Sequence, residues 1–127
     1  MRHFADLERH VSKQGRRVVA TMNAGMFEQN GSAVGWCVAY RKTIKGPNQQ
    51  EGQGYFPLKP NGVFAVQDVK ALVRETDAAV KTLGAATLIT HSGPLLVNPG
   101  QRHPAFRESL ANRHIRNAGG VDADGLI

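Results

Sequence analysis

The chain has 127 residues, 41% of them hydrophobic and 20% charged, which allows one domain with a real core and excludes a larger array of domains. No run approaches the roughly 18 apolar residues of a membrane span, and the N-terminal M-R-H-F-A-D-L-E-R-H lacks the apolar stretch of a secretory signal, so the sequence taken literally describes a cytoplasmic chain. The formal charge of +6 is spread over single Lys and Arg residues and short groups such as Arg16-Arg17 and Arg41-Lys42, with no zinc-finger or RNP-like pattern beside them; this favours a solvated basic surface over a nucleic-acid interface.

Phe4, Leu7 and Val11 recur at helical spacing while Glu8, Arg9 and Lys13 face elsewhere, which predicts a short amphipathic helix ending near Gly15. Arg17 to Met22 reads as a strand. It runs into Asn23-Ala24-Gly25-Met26-Phe27, where an amide and a glycine interrupt the apolar pattern. Gln29 to Ser32 predicts a turn, and Val34 to Tyr40 a second strand with Trp36 as its largest core candidate. The single cysteine, Cys37, lies inside that run; it allows no internal disulfide or multi-cysteine metal site and reads as a core thiol. No cofactor is implied by any stretch of the chain.

Arg41 to Pro60 is polar and glycine-bearing, with short strand pieces expected around Ile44 and Tyr55-Phe56. A loop of that size is usually functional or mobile. Glu51-Gly52-Gln53-Gly54 lacks the third glycine and the following helix of a phosphate-cradling loop. Pro60-Asn61-Gly62 predicts a turn launching a strand over Val63 to Gln67. Val69 to Glu75 fits a strand or a helix; a hairpin turn at Gln67-Asp68 favours the strand, and Thr76 then caps a helix through Leu83 that Gly84 closes.

Ala85 to Thr90 and Leu95 to Val97 read as buried strands on either side of a polar knot, Ser92-Gly93-Pro94. Gly93 frees the backbone and Pro94 stiffens it, so two core strands would hold the Ser92 hydroxyl in a fixed place. The knot is either a rigid polar corner fit for a site or only a turn. Asn98-Pro99-Gly100 is a tight turn, and Pro104 begins a predicted helix to about Asn112. Arg116 to Gly120 is a third polar, glycine-rich break. Asp122-Ala123-Asp124-Gly125 lacks the distal glutamate of a calcium loop and reads as a hairpin turn.

Four of these stretches together, M-N-A-G-M-F at Met22 to Phe27, L-K-P-N-G-V-F at Leu58 to Phe64, H-S-G-P-L-L-V at His91 to Val97 and R-N-A-G-G-V at Arg116 to Val121, resemble the phosphodiester glycosidase family. That family includes a lysosomal N-acetylglucosamine-1-phosphodiester α-N-acetylglucosaminidase and bacterial exopolysaccharide-related proteins. The resemblance implies an α+β fold with mixed sheets and a few short helices, and hydrolysis of a sugar-1-phosphodiester bond. Two positions depart from the family's pattern: His91 stands where Gln usually precedes S-G-P, and Gly119 where a valine usually precedes the last glycine. The family's domain also begins with strands upstream of Phe4 and ends on a D-G-G motif. By that comparison residues 1 to 127 form a partial domain whose activity alone is impaired, and the family's common export stands against the cytoplasmic reading.

Breaking a sugar-phosphodiester bond needs stabilisation of oxocarbenium charge and help for the departing group. A phosphate-derived leaving group is a weak base, so a cation or hydrogen-bond donors serve it better than a strong acid. The resemblance therefore makes Arg116 and Ser92 the catalytic candidates and Asn23, Gly25, His91, Gly93 and Asn117 the substrate-binding ones, for a sugar-phosphate or polysaccharide partner. Each also fits a plainer role: Arg116 in a surface ion pair, the two asparagines in turns, Ser92 as a local cap. Glu28, Asp122 and Asp124 are the acidic residues nearest the motifs, but no spacing sets one opposite Arg116. His91 and Ser92 are neighbours, so on an extended backbone they point to opposite faces and form no nucleophile and base pair. Two other classes remain in view, a non-catalytic carbohydrate or anion-binding module and a basic nucleic-acid-binding domain. The glycosidase reading requires the corners around residues 23, 92 and 116 to gather in one place.

Overall fold

The computed structural model describes residues 3–52, 54, 56–106 and 116–127. In chain order they form α1 (Phe4–Ser12), β1 (Cys37–Ala39), β2 (Lys42–Lys45), β3 (Gly62–Gln67), β4 (Lys70–Glu75), α2 (Thr76–Thr82), β5 (Leu88–Ser92), β6 (Val97–Asn98) and β7 (Gln101–Arg102). Five strands make one sheet in the order β2-β1-β5-β3-β4, and β6 and β7 make a separate hairpin. The fold is α+β, as the sequence implied. Its sheets are antiparallel throughout the described residues rather than mixed.

Alternation along the strands explains the core. Val63 pairs with His91 and Ala65 with Ile89, while Val38 pairs with Ile89 from the other side, so these side chains share one face of the sheet. Ala79 of α2 and Ala86 close over that face, with Trp36, Leu72 and Leu83 packed around them. Ile89 is 1% exposed, and burying such a side chain contributes about 2 kcal/mol. Phe64, Val66, Leu88 and Thr90 lie on the opposite face, half-buried, and Ser92 ends that row in the open.

Both long hairpins turn through two residues in the left-handed region, Tyr40-Arg41 (φ +51° and +64°) and Asp68-Val69 (φ +47° and +63°). That geometry matches the twist of the strands. The predicted hairpin between β3 and β4 therefore stands, one residue later than read. Helix α1 ends at Ser12, and Gly15 follows at φ +68°, as its pattern predicted.

Several expectations are corrected. Arg17 to Met22 runs without secondary structure, and Val19 is 87% exposed. A strand is stabilised by a ladder, and no described strand pairs with this segment. The strand expected over Val34 to Tyr40 shortens to Cys37–Ala39, because Val34 donates its backbone N–H to the Met26 carbonyl (2.9 Å) and Gly35 turns inward. Cys37 is half-buried, not a core thiol. Phe56 lies in a turn and not in a strand, while Tyr55 falls outside the described residues. The cap of α2 is Glu75, whose carboxylate accepts from the Ala78 N–H (2.9 Å). Thr76 is instead the first helical residue, buried, with its hydroxyl turned to the core, and Gly84 is not left-handed. Leu95 leaves the predicted strand to pack on Gly62, held by its N–H on the Pro60 carbonyl (2.8 Å). Pro104-Ala105 is a turn, and most of the predicted helix lies outside the described residues.

The 46–60 loop is fastened at several points. Asn48 donates to the Val34 carbonyl (3.1 Å), and Asp77 of α2 accepts from Gln49 (2.6 Å) and Lys59 (3.3 Å). The Gln49 amide and then the Lys59 ammonium hold the Asp77 carboxyl below its ordinary pKa. These ties bring Phe56 onto the ring of His91, with centroids 4.7 Å apart. No described helix is long and apolar enough to cross a membrane.

Candidate functional site

The site is organised by the last two residues of β5. His91 points to the covered face and is 1% exposed. Its Nδ1 lies 3.3 Å from the Trp36 backbone nitrogen and its Nε2 lies 3.0 Å from the Thr76 hydroxyl. A backbone N–H only donates, so Nδ1 is the acceptor, and in the neutral ring Nε2 carries the proton and donates to Thr76. Burial lowers the His91 pKa to about 4, which keeps the ring neutral at pH 7. Gly35 explains how the ring fits: a Cβ there would lie 2.6 Å from His91 Nδ1 and from Phe56 Cζ.

The backbone of His91 faces the first polar corner. Its carbonyl accepts from the Met26 N–H at 3.3 Å. A Cβ on Gly25 would come within 2.8 Å of that same oxygen, so only glycine permits this approach. Beyond Met26 the chain closes a small hairpin, with Phe27 bridged to Ala33 and Gly31 at φ +82°. A cavity of about 170 Å³ lies under the corner, lined by Gly25, Met26, Phe27, Cys37 and Thr90 among others.

The third corner arrives from the other end of the chain, where the Asn117 side-chain amide donates to the side-chain oxygen of Asn23. Of the residues singled out in the sequence, Gly25 rests on the His91 backbone and Asn117 bonds to Asn23, while Ser92 follows His91 at the open end of β5. Asn23, Ser92, Arg116 and Asn117 are exposed. Gly93 is half-buried and joined to Pro94 by a cis peptide bond. His91 differs from the others, since both ring nitrogens are engaged inside the fold. Asp122 is engaged in its own turn, accepting from the N–H groups of Asp124 (3.0 Å) and Leu126 (2.8 Å). Among the described residues no three His, Cys, Asp or Glu side chains form a group able to hold a metal ion.

Sequence reasoning missed Gly35, Phe56 and Thr76, which together enclose the His91 ring. Only Gly35 carried a signal, as an isolated glycine in an apolar run, which marks close approach by another group.

The phosphodiester glycosidase family matches residues 16–127, and the chain belongs to that family. It is also similar to the uncharacterised protein YigE of Escherichia coli (strain K12), with 29% identity over 115 residues. That match covers 91% of this chain and 44% of YigE, so the chain spans less than half the length of this relative. No solved structure matches.

Proposed function

We propose that the chain serves hydrolysis of a sugar-1-phosphodiester of the N-acetylglucosamine-1-phosphate kind, with the reacting groups bound at the corner of Asn23, Ser92 and Asn117. The observation that carries this reading is the hydrogen bond between Asn117 and Asn23, which joins segments 94 residues apart beside the end of β5. Together with the family match, it favours one composite site over three unrelated turns. In the reaction the bond between the anomeric carbon and the phosphate oxygen breaks and water adds to that carbon. The products are the free sugar and a phosphate monoester, with the proton of water shared out to the phosphate or solvent. Arg116 is assigned to the charge on the departing phosphate, and the Ser92 hydroxyl and the asparagine amides to its oxygens and those of the sugar. Gly25 and Gly93 keep the backbone close, and His91 acts from behind, through the position of its carbonyl.

Incubation with the methyl phosphodiester of α-N-acetylglucosamine 1-phosphate tests the reading. Release of free N-acetylglucosamine and methyl phosphate is the expected result; binding without release would leave a carbohydrate-binding module. Arg116→Ala should remove binding of the diester, at least about tenfold given the worth of a hydrogen bond to a charged group, with thermal unfolding nearly unchanged. Unaltered binding by that variant would end the assignment of Arg116.

A further inference from the structure

We propose that Thr76 is a positioning residue for this site. Its hydroxyl fixes the ring of His91, and through His91 it holds the Asn23 to Phe27 corner on the end of β5. The path is short and each step is a contact in the fold. Thr76 is 1% exposed, its backbone N–H is donated to the Asn61 carbonyl (3.1 Å), and its hydroxyl lies 3.0 Å from His91 Nε2. Pinned at Nε2 by Thr76 and at Nδ1 by the Trp36 N–H, and flanked by Gly35 and Phe56, the imidazole has one orientation that satisfies both nitrogens. That orientation sets the rest of the residue, including the carbonyl that receives Met26 N–H and against which Gly25 rests. Asn23 and Ala24 are exposed; the corner is also tied by the Val34 N–H on the Met26 carbonyl (2.9 Å) and by Asn117 on Asn23, and the contacts with His91 are those that seat it on the end of β5. Removing the hydroxyl leaves a buried imidazole N–H without an acceptor, which a ring relieves by turning, and a turned ring gives up the Trp36 bond as well. Helix α2 thereby acts on the geometry of the corner through His91.

The test compares Thr76→Val, which keeps the shape without the hydroxyl, with Thr76→Ser, which keeps the hydroxyl. The first readout is amide hydrogen exchange of Met26 relative to that of Ala65, in the middle of β3. Thr76→Val should speed exchange at Met26 by about tenfold over any change at Ala65, as expected when one buried hydrogen bond is lost. Thr76→Ser should restore it to within about twofold. The second readout is the nitrogen chemical shifts of the His91 ring, which report the proton on Nε2 in the wild type and in Thr76→Ser and a changed pattern in Thr76→Val. Equal acceleration at Met26 and Ala65, or no change at either, would overturn the proposal. Should Thr76→Val not fold, Thr76→Ala is read by the same two signals. A third arm, affinity for the methyl phosphodiester of α-N-acetylglucosamine 1-phosphate, rests on the function proposed above and should weaken in Thr76→Val and recover in Thr76→Ser. If the wild type does not bind this probe, the phosphodiester reading fails while the exchange and ring measurements still decide the role of Thr76.

Discussion

His91 and Ser92 follow one another on β5, yet they belong to different parts of the molecule. On the covered face the chain builds a closed set of partners, in which the His91 ring meets a backbone N–H, a hydroxyl, an aromatic ring and a glycine. On the open side Ser92 stands exposed at the end of β5, and Asn23 and Asn117, both exposed, bond to one another over 94 residues of chain. The difference teaches where rigidity comes from. The corner that carries Asn23 rests on the buried side through the His91 carbonyl, which accepts the Met26 N–H, while Ser92 is held by its place opposite Gly62 in the ladder. Stability should therefore be sensitive on one face of β5, and ligand affinity on the other.

The largest effect that would test this division comes from pH. The folded protein holds the His91 pKa at about 4, against an ordinary value of 6.5, because burial disfavours the charged ring. A histidine whose pKa is lowered by folding binds its proton more readily in the unfolded chain, so the protein is fully stabilised above pH 6.5. Stability is lost as pH falls through the window from 6.5 to about 4, by about 3 kcal/mol in all. Urea midpoints taken at pH 7.5 and pH 4.5 should differ accordingly, and the difference should shrink in His91→Gln, which has no titrating ring. A wild type equally stable at both values would mean the ring is not sealed from water, and the contrast between the two faces would collapse.

A smaller loss is expected from Gly35→Ala. The added Cβ would sit 2.6 Å from both His91 Nδ1 and Phe56 Cζ, and overpacking of this kind costs about 2 kcal/mol when ring and loop must both yield. The measurement is thermal unfolding, with a drop of about 6 °C expected for a chain of this size. An alanine tolerated without loss would show that Phe56 and the 46–60 loop move aside easily, and that the buried network is looser than its contacts suggest.

These two residues also mark where the sequence was readable and where it was not. Elements carried by local pattern were legible: the α1 stripe of Phe4, Leu7 and Val11, the hairpin of β3 and β4, the Asn98-Pro99-Gly100 turn, and the opposite facing of His91 and Ser92, which follows from the two-residue period of a strand. The polar corners were legible as interruptions of apolar runs. What the pattern does not hold is partnership. Arg17 to Met22 has the composition of a strand, but a strand needs a neighbour, and composition does not say whether one is present. Thr76 has the chemistry of a cap, but Glu75, one residue earlier, takes that role because β4 passes into α2 without a linker. The bond between Asn23 and Asn117 links residues that no local rule connects; the family motifs name both as binding candidates without pairing them.

The smallest effect on stability, and the one that isolates the open side, is Ser92→Ala. Ser92 is exposed at the end of β5, opposite Gly62 in the ladder, and the alanine keeps the Cβ, so unfolding should change by no more than about 0.5 kcal/mol. Affinity for the methyl phosphodiester should nevertheless fall about tenfold, because a hydroxyl placed on a charged phosphate oxygen contributes more than one exchanged with water. The two measurements separate the roles of adjacent residues: His91→Gln alters the pH dependence of unfolding, and Ser92→Ala alters binding at constant stability. Were Ser92→Ala to bind the diester as tightly as the wild type, the knot at Ser92-Gly93-Pro94 would be a turn and nothing more, and the ligand would have to be held by Asn23, Asn117 and Arg116 alone.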